Sequence, residues 1–544
     1  MVPVRKSKIV EEECDFAVVG AGSAGCVVAA RLSENGRYKV VVLEAGGSDG
    51  GFWINAPLGF GKLYNDTSAN WCYESEPEQG LDGTVSYQPR GKIVGGTGSI
   101  NGMVYMRGSR TDYDRWRNLG NLGWGYEDIL PYFLKSEANV RGPSRFHGSR
   151  GPITVVDGPT HELGAAFMRA AIEAGFSDIG DHAGEAHSGF AVPQMTIRRG
   201  RRSSSANAYL RPALRRSNLH LVMRAQVTKL LVEERVATGV HYKVDGRCVR
   251  LKARREVVVC AGAFNTPQLL QLSGLGPASV LQRAGIPVLM DAPGIGNDLE
   301  DHFGVNLVYR CRKKVTLTDA LNNPLRRLGM GLKYLALRQG PIATHGTYCT
   351  GFFRSRHSSG DEDDGHISLV GWARSTTSRA TRGLGLYTFP AYSLTASLTH
   401  PLSRGSVCLR SGDPEAAPSI RFNFLQDALD QKRLVDIVRI ARRIANAGSM
   451  QSYTGSEVLP GPDQVSDDQL LAFCRREGRS THHAAGSCKM RPDGPVDSRL
   501  RLRGIDRLRI VDASITPSMI AGNINATVLM IAEKGAAMIL ADAR

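Results

Sequence analysis

Gly20-Ala21-Gly22-Ser23-Ala24-Gly25 is the first stretch whose residue types and spacing could do chemistry, and that chemistry is the holding of a dinucleotide. In a GxGxxG turn the first glycine allows the tight bend. The second lets the backbone approach a pyrophosphate, and the third lets a helix pack closely on a strand. A helix opening there turns free N–H groups and the positive end of its dipole toward the phosphates. Glu44 follows at about the 20-residue spacing at which an acid takes the ribose hydroxyls. That acid argues against a 2′-phosphate and so against NADP; on these residues alone FAD and NAD stay level. The adjacent pair His482 and His483 is the second candidate. A neutral imidazole, with an ordinary pKa near 6.5, can take a proton at neutral pH.

The elements needed to position these residues are legible. Phe16 to Val19 is a short apolar run suited to a buried parallel strand, Ser23 to Leu32 to a helix, and Lys39 to Leu43 to a second strand, so a βαβ unit opens the chain. Residues 46–125 are dense in Gly, Asn and aromatics with little periodicity, as in a long functional loop region. Residues 221–232 and 240–260 alternate like strands, Val257 to Ala261 is a further buried strand, and Asn265 to Leu272 starts a helix. From about residue 312 the character changes. Leu325 to Arg338 reads as an amphipathic helix, His366 to Trp372 and Tyr387 to Leu398 as strands, and Ala428 to Ala447 as a helix. Leu508 to Val511 is a last strand, and Thr527 to Leu540 an apolar helix.

A chain of 544 residues exceeds one compact core, so two or more domains are expected. A hydrophobic fraction of 42% and a charged fraction of 22% are ordinary for a globular protein. The net charge of +16 concentrates only in Arg198, Arg199, Arg201 and Arg202, with no accompanying nucleic-acid motif, so a solvated surface is expected and no nucleic-acid partner. None of the ten cysteines forms a CxxC pair, so no metal is expected, and several sit in apolar runs as reduced, buried thiols. The N-terminus lacks the apolar core of a secretory signal, and no run approaches a membrane span. A cytoplasmic location is expected, with peripheral membrane association through basic residues left open.

Longer stretches carry a resemblance. The run from Arg90 through Gly95-Gly96-Thr97-Gly98-Ser99-Ile100-Asn101-Gly102 to Gly108 resembles the first signature of the glucose–methanol–choline (GMC) oxidoreductases. Gly262 to Pro277 resembles their second. His483-Ala-Ala-Gly-Ser-Cys-Lys-Met490 is similar to their catalytic histidine segment. Asp512 to Pro517 and Gly522-Asn-Ile-Asn-Ala-Thr527 resemble their C-terminal segments, and Pro293 to His302, ending Glu300-Asp301-His302, fits as well.

The resemblance implies an α/β fold: a Rossmann-like FAD-binding domain with an α+β substrate domain on a mainly antiparallel sheet. The FAD domain would be discontinuous, at residues 1–160, 210–310 and 465–544, and the substrate domain at 161–209 and 311–464. It implies FAD-dependent oxidation of a primary alcohol to the aldehyde, with His483 as base and hydride transfer to flavin N5. An FAD-containing hydroxynitrile lyase without net redox is the alternative. Asn525 matches the family's second active-site position, and its residue type also suits a helix N-cap. His482 is expected to be structural, Cys488 to pack, and His345 to face the substrate cavity. For the cofactor the match names Gly20, Gly22, Ser23, Ala24, Gly25, Glu44, Ala45, Trp71, Arg90, Val94, Gly95, Gly96, Ser99, Asn101, Gly102, Met103, Val104, Val227, Ala261, Asp512, Ala513, Asn523, Asn525, Ala526 and Thr527. Ile100 stands where some members carry a flavin-linked histidine, so FAD is expected to bind without a covalent bond. The acceptor is left as oxygen, a quinone or another carrier, and the oligomeric state stays undetermined.

Overall fold

The computed structural model describes residues 10–358, 360–374 and 385–543. Strand β1 (Val10–Val19) leads through the glycine turn into helix α1 (Ser23–Leu32) and strand β2 (Val40–Glu44). Every residue of β2 is buried, as are Phe16 to Val19. Strands covered on both faces need an unbroken apolar run, and this is the run that the sequence shows. The first half of β1 is longer than hydrophobicity predicts. It pairs in parallel with Arg247–Val259, where Glu11 lies 3.8 Å from Arg250 and 3.7 Å from Lys252 and Glu13 lies 3.8 Å from Arg254, so opposite charges, not apolar side chains, face each other along it.

The resulting seven-stranded sheet runs Leu219–Met223, β2, β1, Arg247–Val259, Val236–Val244, Gln226–Glu233. The first four strands are parallel and the last two continue as an antiparallel meander. Leu508–Ile510 joins the far half of Arg247–Val259 in parallel, returning the end of the chain to its beginning. Helix α2 (Gly262–Leu272) follows that long strand as α1 follows β1.

A second seven-stranded sheet is antiparallel along its whole path: Thr454–Leu459, Phe303–Cys311, Ala391–Leu398, Gly365–Val370, Thr347–Phe353, Gly189–Ala191. The helix Ala428–Ala445 covers it with Leu434, Ile437, Val438, Ala441 and Ile444. Arg479–Ser480 adds to the Phe303–Cys311 strand and delivers the paired histidines to the seam between the sheets.

Helix α3 (Pro324–Leu337) differs from the others. Asn323 caps it, accepting from the N–H groups of Leu325 and Arg326 at 3.0 and 3.1 Å, and Tyr334 is its one buried residue. Helix α4 (Asn525–Asp542) is apolar all round and deeply buried. Its Glu533 is held by Arg31 at 2.7 Å and Tyr209 at 2.8 Å, so the charge at its middle is paired. No helix among the described residues is long and apolar enough to cross a membrane.

Candidate active site

Three backbone segments meet without side chains between them. A Cβ on Gly20, whose φ is +95°, would stand 2.7 Å from the Cys260 carbonyl oxygen. One on Gly25 would stand 1.8 Å from the Gly20 oxygen, and one on Gly96 2.8 Å from Gly22 Cα. The Gly95 N–H donates to the Ala21 carbonyl at 2.6 Å, locking the second turn to the first. The Glu44 carboxylate accepts from the N–H groups of Ala21 at 2.9 Å and Gly46 at 2.8 Å. Burial pushes its pKa up to about 7.

These segments open on a cavity of about 600 Å³. The chain fits a dinucleotide there. Gly102 and Gly262 leave open space where a Cβ would sit, so the backbone itself forms the wall. The N-terminus of α1 carries neither a side-chain cap nor an acid in its first turn, which leaves it free for a phosphate.

Of the residues expected around the cofactor, Gly20, Gly22, Ser23, Ala24, Glu44, Ala45, Trp71, Arg90, Gly96, Asn101, Gly102, Met103, Val104, Val227, Ala261, Asp512, Ala513, Asn523 and Asn525 line this cavity. Gly25, Val94, Gly95, Ser99, Ala526 and Thr527 are not on its wall. They shape what is: Ser99 Oγ donates to the Val94 carbonyl at 2.8 Å, and Thr527 Oγ1 bonds the Tyr113 hydroxyl at 2.7 Å. Asp512 is already engaged. It accepts from Gly262 N, Thr266 Oγ1 and Ser514 N at 2.9, 2.6 and 2.8 Å, tying the start of α2 to the last strand.

His483 lies where this cavity meets a second one of about 180 Å³. Its hydrogen bonds fix its tautomer. His302 Nε2 faces the Ile520 carbonyl at 2.8 Å and must carry a hydrogen to bond it. Burial holds His302 neutral, with its pKa lowered to about 4, so its Nδ1 is a bare acceptor. His483 Nδ1, 2.9 Å away, is therefore the donor, and His483 Nε2 is left with a free lone pair. That nitrogen accepts from Asn523 Nδ2 at 2.8 Å. Burial, with His302 and His482 beside it, holds the His483 pKa well below its ordinary value. Asp301 accepts the His483 backbone N–H at 2.7 Å and also a bond from Ser480 Oγ, which fixes the main chain carrying the imidazole.

The structure departs from expectation at two residues. Asn525 does not meet His483; its amide donates to Ser23 Oγ at 2.9 Å, beside the glycine turn. Asn525 opens α4 and points with that helix toward α1, whereas Asn523 precedes the helix and reaches the imidazole. His345 lines neither cavity; it is buried, accepts from Thr347 N at 3.0 Å, and burial lowers its pKa to about 4. His482 does reach the larger cavity, with its carbonyl accepting from Arg90 at 2.7 Å and its φ at +70°. Cys488 is buried and off the wall, as packing requires.

Other residues at the site carry no role of their own in the sequence, although Asp301 and His302 close the Pro293–His302 stretch. His302, Asp301 and Thr481 gather around His483, and His366, Ser368, Thr395 and Ser397 line the smaller cavity. Phe60, Tyr64, Trp372, Arg374 and Arg479 line the larger one. Arg374 lies 5.7 Å over the Tyr64 ring and 5.4 Å over that of Trp372. Among the described residues of both walls, Glu44 and Asp512 are the only carboxylates, and both sit at the nucleotide end.

The family model described as GMC oxidoreductase matches residues 14–304 in its N-terminal part and 401–532 in its C-terminal part. An oxygen-dependent choline dehydrogenase of Photobacterium profundum is 37% identical over 97% of this chain and 93% of its own length. The mitochondrial choline dehydrogenase of Homo sapiens is 39% identical over 97% and 90%. Among solved structures, pyridoxine 4-oxidase from Mesorbium loti superposes with a TM-score of 0.86 at 30% identity, covering 96% of this chain and 98% of that one. Formate oxidase from Aspergillus oryzae gives 0.91 at 26% identity, covering 98% and 99%. The lyase alternative has no counterpart among these relatives.

Proposed function

The chain belongs to the GMC oxidoreductase family and is an FAD-dependent oxidoreductase of alcohol donors, and from that premise we propose that it oxidises a primary alcohol with His483 Nε2 as the base and Asn523 as its partner. The observation that carries this reading is the fixed tautomer: a neutral imidazole whose free lone pair faces the cavity, 2.8 Å from an amide donor. An alcohol oxygen within reach of both groups gives its proton to Nε2 and takes an N–H from Asn523 as negative charge develops. FAD, when bound, supplies the acceptor of the hydride that leaves the alcohol carbon. His302 and Asp301 are positioning residues, the first setting the tautomer and the second the backbone. Burial beside His483 holds His302 and His366 uncharged.

The remaining cofactor assignments belong to the same proposal. Glu44 takes the ribose, Gly22 and α1 the pyrophosphate, and Gly96, Asn101, Gly102 and Ala513 the ring system. The domain division at 1–160, 210–310 and 465–544 against 161–209 and 311–464 does too. Its support is the two sheets, except that the whole Phe303–Cys311 strand lies in the antiparallel sheet, which moves the 310/311 boundary back to before Phe303. The electron acceptor is oxygen, a quinone or another carrier, and the location cytoplasmic.

Anaerobic reduction of the bound flavin by 1-butanol and by choline, followed across pH, tests the reading. His483 is in its base form above a pKa held well below 6.5, so the rate should be flat from pH 6.5 upward and fall only at lower pH. A rate still rising through that value would sink the assignment. Choline should reduce more slowly than butanol. No carboxylate among the described residues lines either cavity at the His483 end, and Arg374 already lies over the Tyr64 and Trp372 rings. A choline rate above that of butanol would reverse this.

Ile100 is buried and 8% exposed on the wall where a covalent histidine would stand, and it offers no nucleophile. Acid precipitation should therefore release the flavin into the supernatant. Yellow protein in the pellet would contradict non-covalent binding.

A further inference from the structure

Helix α3 exposes an apolar face that the fold does not use. Leu325, Leu328, Leu332 and Leu335, spaced three, four and three apart, are 80%, 60%, 60% and 58% exposed. At 3.6 residues per turn they form one stripe. The opposite side carries Tyr334, the tether of the helix, whose hydroxyl donates to the Gly200 carbonyl at 3.0 Å. The same helical period sets Lys333 to one side of the stripe and Arg327 to the other, whereas Arg338 caps the helix in the left-handed region and lies 5.0 Å over the Tyr334 ring. Between residues 312 and 338 seven Lys and Arg stand against one carboxylate, Asp319, which is held by Arg326 at 2.7 Å.

The patch extends toward the larger cavity. Phe52 packs edge-on against Tyr334 at 6.0 Å and against Trp53 at 4.9 Å, and both rings are more than two-fifths exposed. Lys62 Nζ lies 3.9 Å over the Trp53 ring. Phe60, Gly61 and Tyr64, from the same short segment, line the cavity wall.

We propose that the leucine stripe of α3, with Phe52 and Trp53, seats the protein on an anionic bilayer surface and brings the cavity mouth to the lipid interface. Leucines and aromatics flanked by basic residues are the composition that lies in the headgroup plane, apolar face inward and cations on the lipid phosphates. Charge decides against a second copy of the chain as the occupant. Two such faces would bring Arg327 and Lys333 against their own kind, whereas anionic lipid complements them. On a bilayer the site can exchange a lipophilic alcohol or a lipid-soluble acceptor without passing either through water.

Flotation of the FAD-loaded enzyme with vesicles of phosphatidylcholine containing phosphatidylglycerol, against phosphatidylcholine alone, tests this. The wild type should bind the anionic vesicles at least about tenfold more tightly and lose that preference in high salt. Joint replacement of Leu325, Leu328, Leu332 and Leu335 by Ser should weaken binding by about tenfold or more, with flavin content and butanol turnover unchanged. If that variant fails to fold, Arg327→Gln with Lys333→Gln should still remove the anionic preference. Absence of wild-type binding overturns the proposal, as does binding that survives both sets of replacements. A dimer in solution that the serine variant dissociates, with no vesicle binding by the wild type, would assign the face to a second copy instead.

Discussion

His483→Ala is expected to slow anaerobic reduction of the bound flavin by an alcohol by about 10²–10⁴-fold, the range a single general base contributes, while the enzyme stays yellow. The loss follows from what surrounds the imidazole. Asn523 and Thr481 are the other polar side chains bonded to it besides His302, and neither an amide nor a hydroxyl takes a proton at neutral pH. His302 is a poor substitute, because its bare Nδ1 faces the Nδ1 side of residue 483 and not the Nε2 side, where Asn523 meets the alcohol oxygen. His482 is the neighbour in sequence, but its ring turns toward Tyr64, 3.5 Å from the hydroxyl, and burial beside Arg90 and Arg479 lowers its pKa to about 3. His482→Ala should thus cost far less than His483→Ala. Stopped-flow absorbance at the flavin band reads both. An unchanged rate in the His483 variant would remove it as the base, and an equal loss in both would mean that the pair acts together.

The second large effect lies at the other end of the cavity. Gly25→Ala should leave less than about a tenth of the purified chains carrying FAD and should lower the melting temperature. The added methyl would sit 1.8 Å from the Gly20 carbonyl oxygen, so α1 must move off β1 or the turn must open. Gly20 cannot absorb the change, since its own Cβ position is 2.7 Å from the Cys260 oxygen on the neighbouring strand. Overpacking of this kind costs about 1–3 kcal/mol, and here the displaced atoms are those that would meet the pyrophosphate. Gly329→Ala, on α3 with no atom within 4 Å, should leave flavin content untouched. The ratio of flavin to protein absorbance and a thermal melt decide the matter. A Gly25→Ala enzyme that purifies fully yellow with an unchanged melt would show that the close approach is not needed.

What could be read in advance follows from how locally each feature is encoded. The βαβ unit was legible because burial on both faces of β2 leaves only apolar residues, and because the glycine turn is a constraint on three nearby residues. The start of β1 was not, since Glu11 meets Arg250 and Lys252 and Glu13 meets Arg254, more than two hundred residues on. The same limit applies at the site. Asn523 and Asn525 are two apart with the same side chain, and only the point at which α4 begins separates the one that reaches His483 from the one that reaches Ser23. The stretch from Pro293 to His302 fits the family resemblance, yet nothing within it says that His302 sets the tautomer of a ring 181 positions later.

The bond from His302 to the Ile520 carbonyl has one more effect, on the order of events in turnover. A proton that arrives on His483 Nε2 has no favourable inward route. To receive it through Nδ1, His302 would have to become an imidazolium, which burial opposes by lowering its pKa to about 4, and beyond its Nε2 hydrogen stands only the Ile520 carbonyl, which does not accept one. The imidazole is thus a store with a single door, opening on the chamber that the alcohol itself fills. It holds its proton until the aldehyde has gone, and empties only when water or the incoming acceptor takes that place. Deprotonation of the base and discharge of the electrons then belong to the same half of the cycle, so one isotope-sensitive step would report on both.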